Sequence, residues 1–126
     1  MIVAYASLTG KVKSFTEKLQ VEVPELKLVK INRDTTINDP FILITYTFGS
    51  GDIPREVQGF MQRCGDNIIA VAGSGERNWG THRFCKASID ISNQFNVPLL
   101  HTFEKSGFDS DVALVATKIK ELLKGR

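Results

Sequence analysis

Apolar runs alternate along this chain with amphipathic stretches, and the alternation predicts its elements. The runs Ile2 to Ala6, Phe41 to Tyr46 and Asn67 to Gly73 are rich in Ile, Val and Leu and lack a regular polar alternate. Such runs form strands covered on both faces. Lys27-Leu28-Val29-Lys30-Ile31 carries lysines among its apolar residues, and Val97-Pro98-Leu99-Leu100-His101-Thr102-Phe103 has a proline near its start, which marks both as sheet edges. Elsewhere apolar residues recur at helical spacing: Val12, Phe15, Leu19; Val57, Phe60, Met61, Cys64; Phe84, Ala87, Ser88, Ile91, Phe95; and Val112, Val115, Ile119, Leu122, Leu123. Each stripe lays one face of a helix on the sheet. Pro54 marks the start of the second helix, and Asp109 or Ser110 that of the last.

Strand and helix alternate throughout, which predicts an α/β three-layer sandwich with right-handed crossovers. A five-stranded parallel sheet in the flavodoxin-like order 2-1-3-4-5 puts the two marked strands outermost. At 126 residues the chain is expected to form a single domain, residues 1–126. One connection departs from the pattern. The linker Asn32 to Pro40 is short for a parallel crossover and too polar for a packed helix, so a reduced crossover is predicted between strands 2 and 3. That leaves a thinly covered patch of sheet, available to dock a partner.

A net charge of +2, from 16 basic and 14 acidic residues spread evenly, gives no footprint for nucleic acid. No apolar run approaches the roughly 20 residues that span a bilayer. The start, Met1-Ile2-Val3-Ala4-Tyr5, lacks a basic region and a cleavage site, so the expected location is cytoplasmic. Cys64 and Cys85 have neither C-x-x-C nor metal-ligand spacing and are read as plain thiols. His82 and His101 have no zinc pattern around them, and no metal site is expected.

The candidate chemistry sits in three loops that follow strands one, three and four. Ser7-Leu8-Thr9-Gly10-Lys11-Val12-Lys13-Ser14-Phe15 places hydroxyls and a glycine where a buried strand ends and a helix begins. Backbone N–H groups, hydroxyls and the helix dipole converge there on one anion, such as the phosphate of a flavin mononucleotide. An ordinary strand-to-helix turn with capping hydroxyls is the competing reading. The second loop, Thr45-Tyr46-Thr47-Phe48-Gly49-Ser50-Gly51-Asp52, and the third, Gly73-Ser74-Gly75-Glu76-Arg77-Asn78-Trp79-Gly80-Thr81-His82, supply aromatic walls, donors and flexible backbone for a flat ring. Open α/β sheets bind ligands at this edge, where the strand order reverses. Gly75 and Gly80 have P-loop spacing, but Thr81 stands where the lysine is required. A phosphoacceptor site needs acidic residues after strands one and three, and Tyr5-Ala6-Ser7 and Tyr46-Thr47-Phe48 supply none.

Taken together, Ser7-x-Thr9-Gly10, Thr45-Tyr46-Thr47-Phe48-Gly49, Gly73-Ser74-Gly75-x-Arg77-Asn78-Trp79-Gly80 and Val97-Pro98-Leu99-Leu100-His101 resemble the NrdI family, the small flavodoxin-like proteins of class Ib ribonucleotide reductase systems. The resemblance implies an FMN protein, recharged by an unidentified flavin reductant, whose reduced flavin reacts with molecular oxygen. The product, superoxide, would serve the small, dimanganese subunit of the reductase in making its tyrosyl radical cofactor. By the same resemblance Ser7, Thr9, Gly10, Lys11 and Val12 hold the phosphate. Thr45, Tyr46, Thr47, Phe48 and Gly49 run along the ring, and Ser74, Gly75, Asn78, Trp79 and Gly80 close the other side. The chemistry then resides on the flavin, with no catalytic side chain. Lys11 departs from the asparagine often found in relatives, and the stretch Gly49-Ser50-Gly51-Asp52 leaves the contact at flavin N5 open.

Lys11, Arg77 and His82 around these loops favour a negatively charged reduced flavin. The two one-electron potentials are therefore expected closer together than in an acidic flavodoxin. Two other functions remain on the residues alone: a flavodoxin-type carrier of single electrons, and a binding module that keeps the fold without flavin.

Overall fold

The structure, a computed structural model, describes residues 1–80 and 82–125, the side chain of Trp79 excepted. Strands β1 (Ile2–Tyr5), β2 (Lys27–Lys30), β3 (Phe41–Tyr46), β4 (Ile68–Gly75) and β5 (Leu99–Glu104) form one sheet in the order β2-β1-β3-β4-β5. All four pairings are parallel, so every strand ends at the same edge. Helices α1 (Lys11–Glu22), α2 (Arg55–Cys64), α3 (Lys86–Phe95) and α4 (Asp109–Lys124) cover the two faces. No helix among the described residues is long and apolar enough to cross a membrane.

Strand alternation divides the core. Val3, Tyr5, Ile42 and Ile44 face α1 and α4, where they meet Phe15, Leu19, Val115 and Ile119. Ala4, Ala6, Phe41 and Leu43 face the opposite way, onto Val57, Phe60 and Met61 of α2 and Ile91 of α3. Strand β3 is thus buried on both sides, which its unbroken apolar run requires. Aromatic pairs pin each layer: Phe15 stacks on Phe103 with centroids 3.9 Å apart, and Phe41 meets Phe60 at 5.1 Å.

Between β2 and β3 the chain makes no helix, as its polar linker predicts. The sheet below is nevertheless filled, which corrects the expected thin cover. Ile31 and Ile37 turn inward and are buried, and the Ile37 N–H points at Cys64 Sγ, 3.3 Å away. From α2, Arg63 donates through Nε and Nη2 to the Thr35 carbonyl at 3.2 and 2.8 Å. One arginine and two isoleucines do here what a helix does elsewhere.

One boundary and one cap differ from the sequence reading. Helix α3 begins at Lys86, because Cys85 adopts a left-handed conformation (φ 56°), and Phe84 therefore lies outside it. Helix α4 begins at Asp109, but Asp111 caps it from within, accepting the Phe108 N–H at 2.7 Å. The other Asp111 oxygen lies 2.7 Å from His101 Nε2 on β5. Burial would raise the Asp111 carboxyl, but the Phe108 N–H and His101 outweigh it and hold the group below its usual value.

Candidate functional site

At the carboxyl edge of the sheet the connections after β1, β3 and β4 surround a cleft of about 130 Å³. Its lining is Ser7, Leu8, Thr9, Lys11, Val12, Tyr46, Thr47, Gly49, Ser74, Gly75, Glu76, Arg83 and Lys105. A shallower trough of about 410 Å³ shares Leu8, Tyr46, Thr47, Gly49, Glu76 and Arg83 and extends to Phe48 and Ser50. The trough by itself falls within the size range of small-molecule sites, roughly 300–1,000 Å³.

One end of the cleft is built by the β1–α1 turn. Gly10 precedes the helix at φ +86°, a conformation costly for any residue with a Cβ, and no side chain caps the helix from that position. Ser7 Oγ accepts the Lys13 N–H at 3.2 Å, and the Gly10 carbonyl accepts the Ser14 N–H at 2.9 Å. The N–H groups of Lys11 and Val12 find no acceptor among the described residues. Unfilled donors at the positive end of a helix dipole suit the oxygens of an anion.

The β3–α2 loop forms one wall. Phe48 and Asp52 exchange backbone hydrogen bonds at 2.8 and 2.7 Å, closing a tight loop that Gly51 permits at φ +116°. The Tyr46 hydroxyl donates to Glu56 Oε2 at 3.1 Å, which turns the phenol away and leaves the ring to the cleft. Burial first, then the Glu56 charge and hydrogen bond, push this hydroxyl up to about 12. Thr47 Oγ1 accepts the Ala87 N–H at 3.2 Å and ties the loop to α3.

The opposite wall comes from the end of β4. A Cβ on Gly75 would stand 2.8 Å from the Cys85 N, so only glycine lets β4 lie against the start of α3. Cys85 Sγ lies within hydrogen-bonding reach of the carbonyls of Gly73 and Phe103, at 3.5 and 3.6 Å, and burial pushes this thiol up to about 12. Ser74 Oγ donates to the Lys105 carbonyl at 2.5 Å, and the Lys105 N–H donates to Gly75 at 2.9 Å, which holds the β5–α4 loop at the rim.

Of the candidates, Ser7, Thr9, Lys11, Val12, Tyr46, Thr47, Gly49, Ser74 and Gly75 line the cleft, and Phe48 lines the trough. Gly10 forms the apex of the first turn. Thr45 is fully buried beneath the site, its hydroxyl bonded to the Tyr46 carbonyl at 2.9 Å. Asn78 and Gly80 stand in the third loop outside the lining. The Trp79 side chain and Thr81 lie outside the described residues.

Leu8, Glu76, Arg83 and Lys105 line the cleft without having been singled out as contacts. Lys105 reaches the cleft because β5 ends at the same edge as the other strands. The charges differ from expectation as well. Arg77 packs over the Phe84 ring at 4.2 Å and pairs with Glu104 at 3.9 Å, and His82 is exposed outside the lining. The cations lining the cleft are Lys11, Arg83 and Lys105, with Glu76 3.6 Å from Lys11.

A sequence model of the family described as NrdI flavodoxin-like matches residues 3–117. The chain belongs to this family. It is 39% identical over 122 residues to the protein named Protein NrdI from Macrococcus caseolyticus (strain JCSC5402), covering 97% of this chain and 91% of that one. Among solved structures it is similar to oxidised flavodoxin 2 from Bacillus cereus, with a TM-score of 0.73 at 22% identity over 99% of this chain and 98% of that one. It is also similar to a short-chain flavodoxin associated with a non-canonical PDU bacterial microcompartment, with a TM-score of 0.75 at 18% identity over 98% and 96%. These likenesses establish the flavodoxin-like fold, and family membership implies a flavin-binding redox protein.

Proposed function

We propose that the chain binds FMN in this cleft and, with the flavin reduced, supplies superoxide to the dimanganese small subunit of a class Ib ribonucleotide reductase. The observation that carries the reading is the pair of unfilled N–H groups at the start of α1, at the edge of a cleft lined by Lys11 and Val12 in a chain of the NrdI family. When bound and reduced, the flavin supplies electrons to molecular oxygen.

The protein's own residues have separable tasks. Lys11 and Val12 offer N–H groups to the phosphate, with the Ser7 and Thr9 hydroxyls beside them and Gly10 setting the path of the turn. Tyr46 and Phe48 supply aromatic surface along the ring, with Thr47 and Gly49 between deep cleft and trough. Ser74 and Gly75 present backbone on the other side. Lys11, Arg83 and Lys105 favour negative charge on the bound group.

The test mixes photoreduced protein, oxygen and the manganese-loaded small subunit, and follows the tyrosyl radical by electron paramagnetic resonance. Radical formation that depends on the protein supports the proposal. Its absence, with one-electron reduction of an artificial acceptor retained, leaves a single-electron carrier. Protein that stays colourless after incubation with FMN leaves a flavin-free binding module.

A further inference from the structure

Between the helix-less β2–β3 crossover and α2 runs a groove of about 490 Å³ that the flavin reading does not use. Three guanidinium groups line it, those of Arg33, Arg55 and Arg63. None has an ion-pair partner among the described residues. Arg63 is held in place by carbonyls, those of Thr35 and Asn32, which orient the group without neutralising it. Its Nη1 donates to nothing among the described residues, and the residue facing it one turn earlier is Gly59. A Cβ on Gly59 would stand 3.2 Å from that nitrogen, so the missing side chain keeps Nη1 open to the groove. The carboxylate in the lining, Glu56, accepts the Tyr46 hydroxyl from the neighbouring cleft.

A notch of about 400 Å³ adjoins the groove, shares Arg55 and Glu56 with it, and is walled by Tyr46, Phe48 and Pro54. Phe48 is 51% exposed at its mouth. Guanidinium groups without counterions, one of them held in orientation, bind carboxylates through paired hydrogen bonds, and an aromatic notch beside them takes an apolar side chain. The small net charge of the chain argues against a nucleic acid, whose binding draws on many spread cations.

We propose that this surface docks an acidic segment of a protein partner, with carboxylates on Arg33, Arg55 and Arg63 and one apolar side chain in the notch. Docking there is adjacent to the cleft and is linked to it through the Glu56–Tyr46 hydrogen bond. It also gives the helix-less crossover a use: the crossover brings Arg33 opposite α2, and charge rather than exposed sheet attracts the partner.

The test is a titration of the ¹⁵N-labelled full chain with a capped, glutamate-rich peptide carrying one leucine, read by amide chemical shifts. The expected result is saturable shifts at Arg33, Arg55, Gly59 and Arg63, weakened by added salt. Replacing the glutamates by glutamine should abolish them. The double variant Arg33→Gln/Arg55→Gln should bind the peptide about tenfold more weakly or worse. Gly59→Leu, which sets bulk against Nη1, should also bind it more weakly, its folding being checked in the same spectra. FMN affinity of Arg33→Gln should match that of the parent protein, so the result does not depend on the redox proposal. Absence of saturable shifts, shifts spread evenly over the lysine-bearing surface, or equal affinity of inorganic polyphosphate for the same amides would overturn the assignment.

Discussion

Replacing Gly10 by alanine probes the anion end of the cleft with little collateral change. The position has φ +86°, and a Cβ built there meets nothing within 4 Å, so no neighbour is crowded. The whole cost is backbone conformation, about 1–2 kcal/mol for an L-residue in the left-handed region. Alanine is also a poorer residue than glycine just ahead of a helix. Urea unfolding of the flavin-free protein should therefore show Gly10→Ala less stable by about 1–2 kcal/mol. If the variant escapes the strain by rotating the turn, the Lys11 and Val12 N–H groups lose their aim, and FMN should bind about 5–30-fold more weakly. Riboflavin, which has the ring and no phosphate, should bind both proteins equally, as followed by quenching of flavin fluorescence. A variant as stable as the parent, with unchanged FMN affinity, would refute the assignment of this turn to the phosphate.

Gly75→Ala should cost about 1–3 kcal/mol by overpacking, since its Cβ would approach the Cys85 N to 2.8 Å, and thermal unfolding measures it. Asp111→Asn should lower stability near neutral pH by about 1 kcal/mol through the weakened cap and the lost charge beside His101. Because the folded-state carboxyl lies below its usual value, that contribution is present above the ordinary aspartate range and lost as the pH falls through the lowered value. The gap between parent and variant should close in acid. Tyr46 has the opposite sign: its hydroxyl is raised from 10 to about 12, so its contribution is full below pH 10 and lost as the pH rises through 12. An ultraviolet pH titration should show a tyrosine step near 12 that Tyr46→Phe removes.

The sheet was legible because each strand states its own surroundings. Phe41 to Tyr46 has no regular polar alternate and is buried on both faces, while Lys27 and Lys30 lie at the ends of a strand that sits at an edge. The missing crossover helix was legible too, from polar residues that could not pack. Ile37 was not, since a single isoleucine carries no periodicity, and its burial depends on α2 arriving from elsewhere in the chain. Phe84 continues the stripe of α3 at the right spacing, yet the left-handed Cys85 interrupts the helix before it, a backbone event that spacing does not encode.

The same division runs through the site. Ser7, Thr9, Tyr46 and Gly75 were readable because loops at the strand ends are placed by topology alone. Long cations were not. Arg77 sits in the third loop but is drawn off by Phe84 and Glu104, whereas Arg83 and Lys105, further along the chain, line the cleft. Thr45 belongs to the right segment, but strand alternation points its side chain into the core.

The most direct measurement is a crystal structure of the protein grown with excess FMN. The account predicts the phosphate oxygens within hydrogen-bonding distance of the Lys11 and Val12 N–H groups, with the ring between the β3–α2 loop and the end of β4. A flavin seated elsewhere on the surface, or a carboxyl edge filled by the protein's own side chains, would contradict it.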